Sequence, residues 1–329
     1  MSNPKYMPVS ESCALQMLNS ATVFEEYLRA ERVAAKVRGG MYWKRQGKYE
    51  YLVRTTPQNQ QTRVGARSPE TEQIYTDFFG RKAAAEQRLR TLGEALLEAQ
   101  RLNRAVRAGR VPNLVVALLR RFREAGVDKY FAVVGTYALY AYEAAAGVRI
   151  APSAMTTQGV DVLWDAKKRV SFVTDQTKTD DKEILQMLRR VDASFQLKEL
   201  HNTTAINSRG FEVEFLPREH QYDDPHPRHV LDDKNDLRSA QTRNRSILPE
   251  DARFEMPVIA LNGSMALMNT IPPSAFLRFK EWHSTEESDS SSLKRACDKL
   301  QVELVQQLLE ESLLFEPVTP CVIEPNAGA

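Results

Sequence analysis

The chain has 329 residues, of which 42% are hydrophobic and 27% charged, and its formal net charge is +2 at pH 7. These values are typical of a globular protein with one large domain or two ordinary ones. No apolar run approaches the roughly 18 residues of a membrane-spanning helix. The first residues also lack the basic start and apolar core of a signal peptide. We therefore expect neither a membrane span nor secretion.

Three cysteines, Cys13, Cys297 and Cys321, are widely spaced and odd in number, which favours a reducing, cytoplasmic setting. The charge is unevenly distributed. Residues 1–126 contain 22 Lys and Arg against 12 Asp and Glu, a net charge of +10, and the remainder contains 23 against 31, a net charge of −8. A basic first part is compatible with a polyanionic partner such as RNA. It is equally compatible with two solvated surfaces that attract each other.

The basic region, residues 1–126, is predicted to contain helices and one β-hairpin. Apolar residues recur at helical spacing in three segments, and two β-rich runs over residues 41–55 surround a turn at Gln46 and Gly47. The polar stretch that begins at Pro57 is predicted to be a loop. It leads to Ser68, which can cap the following helix. The predicted helices are residues 10–38, 69–108 and 113–125.

After residue 126 the pattern changes to alternating strands and helices, which predicts an α+β core over residues 127–260 and a helical region over residues 261–329. The segment 256–270 reads as a strand that leads into a helix. The other predicted strands are residues 129–135, 159–165, 169–175, 195–200, 203–208 and 211–218. The predicted helices are residues 136–147, 181–191, 274–283 and 290–313, and residues 218–252 are predicted to be a loop.

Three features of the core could carry chemistry. The segment "VVGT" ends a strand at Gly135, where a phosphate could approach the start of a helix, although many such junctions are only turns. Asp161 lies within the apolar strand "GVDVLW", where a carboxylate is unfavourable unless it has a partner or a metal ion. Asp165 shares that face but lies roughly 13 Å farther along the strand, too far to share an ion.

The third feature is the strand "EVEFLP", in which Glu212 and Glu214 point to the same side. Either residue could simply face solvent, or one could complete a carboxylate set with Asp161. A glycine–hydroxyl turn at a helix start, then an acidic strand, then another acidic strand is the order found in the polymerase β-like nucleotidyltransferase fold. There, two divalent ions bridge the carboxylates and a triphosphate.

The resemblance extends over most of residues 20–310. The segments that carry it are "GGMYWK", "YEYLVR", "VGARSPETE", "FAVVGTYALYAYEAAAGVR", "VDVLWD", "EVEFLP", "PPSAFLRFKEWHS" and "LKRACDKLQ". The chain resembles a bacterial family of nucleotidyltransferase-fold proteins and is distantly similar to the toxins of abortive-infection (AbiEii-type) systems. A toxin-like role rests on that fold analogy alone.

The resemblance implies specific roles for residues of this chain. Asp161 corresponds to a metal-binding carboxylate, and Glu214 stands where a third carboxylate, the base for the acceptor hydroxyl, is expected. The implied nucleotide-binding residues are Gly135, Thr136, Lys280, Lys294, Arg295 and Asp298. The implied cofactor is Mg²⁺ or Mn²⁺. The implied reaction transfers a nucleotidyl group from an NTP to a hydroxyl of RNA, protein or a small molecule, and the basic region favours RNA.

One position departs from the family pattern. Gly159 stands where an acidic residue is preferred, so the site lacks one metal ligand. Three interpretations follow: a weakened enzyme, a nucleotide-binding protein without activity, or a chain altered at this position. An inactive nucleotidyltransferase-fold module that binds nucleotide or RNA is therefore the alternative function. A plain RNA-binding protein that uses the basic region is a third, less favoured possibility.

Two further groups of residues have an ordinary explanation beside a functional one. The first could bind a transition metal, but its Pro- and Asp-rich context is more typical of an exposed loop. It comprises His220, His226, His229, Asp223 and Asp224. The second could stack on bases, although aromatic residues in a hairpin are more often cross-strand pairs. It comprises Trp43, Tyr49, Tyr51 and Arg54.

Overall fold

The computed structural model describes residues 5–155, 157, 159–164, 182–198, 201–217, 253–286 and 292–317. This part of the chain contains seven α-helices and a mixed sheet, which confirms the α+β class. The chain divides into two compact units. The hairpin unit is Ser12–Ala108, and the sheet unit combines Met1–Glu11 with Gly109–Ala329. None of the helices in the described ranges is both long enough and apolar enough to span a bilayer.

The secondary structure agrees with the predicted helices to within a few residues. The helices are α1 Glu11–Lys36, α2 Pro69–Ala105, α3 Asn113–Glu124, α4 Ala138–Ala146, α5 Lys182–Val191, α6 Pro273–Glu286 and α7 Ser292–Glu310. The strands are β1 Tyr6–Pro8, β2 Gly40–Gln46, β3 Tyr49–Thr55, β4 Gln61–Ala66, β5 Phe131–Val134, β6 Val148–Ile150, β7 Gly159–Trp164, β8 Gln196–Lys198, β9 His201–Ile206, β10 Glu212–Pro217, β11 Phe254–Ile259 and β12 Met265–Thr270. The predicted strand 169–175 and loop 218–252 lie outside the described residues.

In the hairpin unit, α1 and α2 run antiparallel. The Gln16 side-chain amide near the start of α1 donates to Asn103 Oδ1 near the end of α2, with a distance of 3.0 Å. The long helix begins as predicted, because the Ser68 hydroxyl accepts from the Thr71 backbone N–H and the Thr71 hydroxyl accepts from the Ser68 N–H. These reciprocal bonds satisfy two backbone donors that a helix start otherwise leaves without a partner.

The same unit contains an antiparallel sheet in the order β2-β3-β4. The predicted hairpin 41–55 is therefore correct. The predicted loop after Pro57 is wrong for the six residues of β4, which pair with β3. Because β4 is an edge strand and nearly all of its side chains are exposed, it lacks the alternation of apolar and polar residues that identifies a half-buried strand.

In the sheet unit, seven strands form one mixed sheet in the order β11-β12-β5-β7-β10-β9-β8. The pairs β5–β12 and β7–β10 are parallel, and the other pairs are antiparallel. The prediction that residues 256–270 turn from strand into helix is wrong, because β11 and β12 form a hairpin. Almost every residue of β12 is buried, and an uninterrupted apolar run does not distinguish a buried strand from a buried helix.

The core of the sheet unit places helices against this sheet. Tyr142 of α4 is fully buried, packs edge-on against Phe276 of α6, and donates its hydroxyl to the Ile271 carbonyl at 2.7 Å. Burial of such large side chains contributes roughly 2–3 kcal/mol each to stability. Glu143 is also buried, and Arg110 and Arg149 both bind its carboxylate, so this acidic residue of α4 has a structural role.

Candidate functional site

Two carboxylates lie side by side on neighbouring central strands. Asp161 of β7 and Glu214 of β10 are direct partners in the parallel register, so their side chains project from the same face of the sheet. The intervening residues of β7, Val160 and Val162, project from the other face and are buried. We call Asp161 and Glu214 the acidic pair. Both residues were predicted from the sequence to lie on strands, and the strand register shows that they are direct neighbours.

The predicted phosphate turn is directly adjacent to this pair. Val134, the last residue of β5, is the antiparallel partner of Asp161. Gly135 follows with φ +64, a conformation that favours glycine. A Cβ atom at this position would overlap with Asp161 Oδ2. Both the positive φ and the closeness of Asp161 therefore require glycine at this position. The backbone of the turn lies against the Asp161 carboxylate.

Thr136, the hydroxyl residue of that turn, is held by a residue that the sequence analysis missed. Gln301 of α7 is fully buried, and its side-chain amide N–H group donates to Thr136 Oγ1 at 3.1 Å and to the Ala154 carbonyl at 2.7 Å. A single glutamine on an amphipathic helix gives no sequence signal of such a contact. The amide thus fixes the turn to α7.

A buried ion pair joins the two helices of the carboxy-terminal region. Lys280 of α6 and Asp298 of α7 are each 6% exposed, and Lys280 Nζ lies 2.6 Å from Asp298 Oδ1. The sequence analysis assigned both to nucleotide binding, and the structure shows them bound to each other. Lys294 and Arg295, on the first turn of α7, are exposed. They therefore present accessible positive charge at the start of this helix.

The electrostatics of Asp161 link these groups. The pKa of Asp161 is raised from 3.8 to about 7, first by burial and then by the negative charge of Glu214, although Lys280 and Lys294 act to lower it. The influence of both lysines means that their charges lie within electrostatic reach of the acidic pair. A carboxylate with a pKa so far above its ordinary value lacks sufficient positive charge around it.

Gly159 lies where the resemblance led us to expect an acid. It pairs with Glu212 of β10 and lies on the same face as Asp161. A Cβ atom there would lie 3.0 Å from the Glu212 carbonyl oxygen and 3.1 Å from Glu212 Cβ, so a side chain requires a small shift of β10. The Glu212 carboxylate itself is bound by Lys198 Nζ at 2.7 Å. Glu212 is thus an additional acid beside the acidic pair, already neutralised by a lysine.

Across the ranges that the structure describes, no group of three or more His, Cys, Asp and Glu side chains is arranged to hold a metal ion. Asp165 and the histidine-containing segment from His220 to His229 lie outside those ranges. Among the described residues, Asp161 and Glu214 are therefore the candidates to hold a metal ion, since the Glu212 carboxylate is bound to Lys198.

Comparisons with known proteins give one match. Residues 113–322, which include every element of the site described above, match a protein-family model described as "Nucleotidyltransferase". Searches of the curated proteins and of the solved structures gave no match. The match covers about two thirds of the chain and contains both members of the acidic pair.

Proposed function

Because this chain belongs to the nucleotidyltransferase family, we propose that it transfers a nucleotidyl group from an NTP to a hydroxyl acceptor at the acidic pair. The observation that carries this proposal is the direct register of Asp161 and Glu214 on adjacent strands, beside the Gly135 turn. We further propose that the mixed sheet is a polymerase β-like core. The parallel pairing of β7 with β10 and their shared acidic face support this assignment.

The acidic pair suits a divalent ion such as Mg²⁺ or Mn²⁺. Mg²⁺ takes oxygen ligands and is commonly held by one or two carboxylates together with waters and substrate phosphates. The raised pKa of Asp161, due first to burial and then to the charge of Glu214, supports this assignment, because a bound cation would favour the charged form of this carboxylate. Asp161 and Glu214 would hold the ion, which when bound neutralises charge on the transferring phosphate and on the attacking and leaving oxygens.

The remaining residues of the site have proposed roles in positioning the nucleotide. Gly135 lets phosphate oxygens approach the backbone, and Gln301 keeps the adjacent Thr136 in place. Lys294 and Arg295, which are exposed on α7, can bind the triphosphate. The buried Lys280–Asp298 pair fixes α6 against α7 and contributes to the potential at the acidic pair.

Glu214 is the proposed base for the acceptor hydroxyl. A carboxylate next to Asp161 can accept the hydroxyl proton as the new bond to phosphorus forms and the pyrophosphate leaves. The proposed setting is the cytoplasm, where NTP and RNA acceptors are available. A toxin-like role for this protein is proposed by analogy with the abortive-infection proteins alone.

Gly159 favours a second candidate function, a nucleotide- or RNA-binding module without activity. The site has one acid fewer than the family pattern, and Glu212, its neighbour in register, is bound to Lys198. A missing metal ligand reduces transition-state stabilisation by several kcal/mol, or by a few orders of magnitude in rate. The two candidate functions therefore predict different turnover but similar affinity for nucleotide.

A nucleotidyl-transfer assay separates these candidates. The protein is incubated with Mg²⁺ or Mn²⁺, each α-labelled NTP and total RNA, in parallel with Asp161→Ala, Gly159→Asp and the control Glu255→Ala, an exposed acid of β11. Label that appears with the wild type and the control but falls at least about a hundredfold in Asp161→Ala supports transfer at the acidic pair.

The other outcomes are equally distinct. Label with Gly159→Asp alone assigns the natural chain to the inactive candidate on an intact scaffold. Label that Asp161→Ala leaves unchanged contradicts the proposed site. Transfer to protein in the absence of RNA contradicts RNA as the acceptor but retains the reaction.

A further inference from the structure

The sheet of the hairpin unit has two unlike faces. Its inner face is covered by α2: the Trp43 ring lies 5.9 Å from Tyr75, and the Arg54 guanidinium lies 4.1 Å from the centre of the Phe78 ring. Leu52, on the same side of the sheet, is fully buried. Trp43 and Arg54 therefore support the packing of α2 on the sheet, and neither is available to stack on a base.

The outer face carries the other set of alternating side chains. In register, these include Tyr42 and Lys44 of β2, Tyr49 and Tyr51 of β3, and Arg63 of β4. Tyr42 is 37% exposed and Tyr49 is 66% exposed, and Lys44 and Arg63 are also exposed. We call these five residues the outer face. This surface therefore presents three tyrosines on adjacent strands, with two cations among them.

The rings of Tyr49 and Tyr51 on this face are neighbours in a row and are tilted by 45° to each other. The Tyr49 and Tyr51 ring centres are 6.4 Å apart, and the Arg63 guanidinium lies 3.2 Å from the centre of the Tyr51 ring. Val53, centred between its register partners Tyr42 and Arg63, is buried, as expected of a small side chain between larger ones. The row thus ends in the exposed Tyr49 ring on one side and the planar Arg63 cation on the other.

The two charged residues of the outer face, Lys44 and Arg63, are both basic. Between residues 40 and 66 the chain has five Lys and Arg and a single acid, Glu50. Glu50 binds Arg67 at 2.6 Å and pairs in register with Arg45, so it belongs to the inner side. The whole hairpin unit, residues 12–108, has 17 Lys and Arg against 10 Asp and Glu, a net charge of +7. The outer face therefore attracts a polyanion.

We propose that the outer face binds single-stranded RNA, which is then the acceptor of the proposed transfer, and this assignment rests on that function. Unpaired bases stack on exposed aromatic rings and on arginine planes, while lysine and arginine bind the phosphates. A duplex hides its base faces, so it cannot use the tyrosines in this way. The exposed amides of Gln46 and Gln61, at the border of this face, can bond with the ribose 2′-hydroxyl.

Fluorescence anisotropy with the full chain tests the proposal directly. The probe is a labelled single-stranded RNA of about 12 nucleotides, in EDTA and without NTP, so that no transfer can occur. We expect Tyr49→Ala and Tyr51→Ala to weaken binding about five- to a hundredfold, as the loss of one stacked base does. Tyr49→Phe should retain most of the affinity because it retains the ring. Arg90→Gln, an exposed cation of α2, is the matched control.

The salt dependence provides a second readout that a purely structural role does not change. Lys44→Gln should reduce the slope of log affinity against log salt by about 0.7, the value for one phosphate contact on a single strand. No binding at about 50 mM salt, or equal binding by Tyr49→Ala, Tyr51→Ala and the wild type, overturns the proposal. Equal affinity for DNA of the same sequence, or for duplex RNA, also overturns it.

This result is independent of the outcome at the acidic pair. RNA affinity that is unchanged in Asp161→Ala supports the outer face whether or not labelled NTP is transferred. If RNA binds through the tyrosines but receives no label, the result contradicts the acceptor role and supports RNA binding by the outer face. Conversely, transfer to another acceptor without RNA binding contradicts the outer-face proposal and leaves the transferase function intact.

Discussion

Replacement of Asp161 by asparagine should stabilise the metal-free protein at neutral and alkaline pH. The pKa of this carboxyl is raised from 3.8 to about 7 in the folded protein, mainly by burial and next by Glu214. Between pH 3.8 and about pH 7 the Asp161 carboxyl keeps its proton in the folded protein and loses it in the unfolded chain. The wild-type free energy of unfolding therefore decreases as pH rises through this range. At about 1.4 kcal/mol per pH unit, ionised Asp161 costs roughly 4 kcal/mol above pH 7.

Asparagine has nearly the same shape and remains neutral, so the stability gain of the variant should depend on pH. We expect a gain near zero at about pH 3, between about 1 and 2 kcal/mol at about pH 5, and roughly 4 kcal/mol at about pH 8. Urea unfolding of both proteins at each pH, in EDTA, measures this difference. Glu255→Gln, at an exposed position on the same sheet, should show no such trend.

A gain for Asp161→Asn that does not grow with pH would refute the burial argument. The metal proposal adds a second expectation. Because a ligand that binds only the folded state stabilises it by mass action, Mg²⁺ at about pH 8 should raise the wild-type free energy of unfolding and leave the variant unchanged. If Mg²⁺ stabilises both proteins equally, the ion is not held by Asp161.

Three further changes test packing and the turn. Lys280→Met should cost about 3–5 kcal/mol of unfolding free energy, because the buried Asp298 carboxylate then loses its ion pair with Lys280. Gly135→Ala should cost more stability than Gly47→Ala, and should alone weaken NTP binding in a titration. Both glycines have φ near +64, but only the first would place Cβ against the acidic pair. Leu52→Ala should cost about 2–5 kcal/mol, because this fully buried side chain fills the space under the sheet of the hairpin unit.

Each of these changes has a result that contradicts its argument. The double variant Lys280→Met with Asp298→Leu should recover much of the lost stability, and failure to do so would mean that the pair is not the cause. Equal losses in Gly135→Ala and Gly47→Ala would show that positive φ alone matters. A negligible loss in Leu52→Ala would show that this part of the core is loosely packed.

Much of the fold could be predicted from local patterns. Apolar residues at helical spacing and a capping serine located α1 and α2, and turn residues located the β2–β3 hairpin, because these signals depend on neighbours in the sequence. The errors, β4 and β12, arise where pairing with another strand decides the conformation. The polar sequence of β4 resembles a loop, and the methionine- and alanine-containing sequence of β12 suits a helix.

The candidate site divides in the same way. Asp161 could be identified as an unusual carboxylate from its own strand, and Gly135 as a strand-to-helix junction. Nothing local indicated Gln301, which holds the turn from about 165 residues away. The burial of Lys280 and Asp298 could not be predicted either, since charged residues on amphipathic helices are usually exposed.

The sequence alone determined most of the helices, the basic character of the first part of the chain, and the presence of acids within two of the predicted strands. Periodicity, charge and residue type are properties of short segments and need no knowledge of the fold. Only the tertiary structure decided that Asp161 and Glu214 are register partners and that Gly135 lies against Asp161. It also decided that α2 covers the face of the hairpin with Trp43 and leaves the opposite face, with the tyrosines, exposed. Strand register and helix packing bring together residues that are distant in the chain, and the burial that results sets their electrostatics.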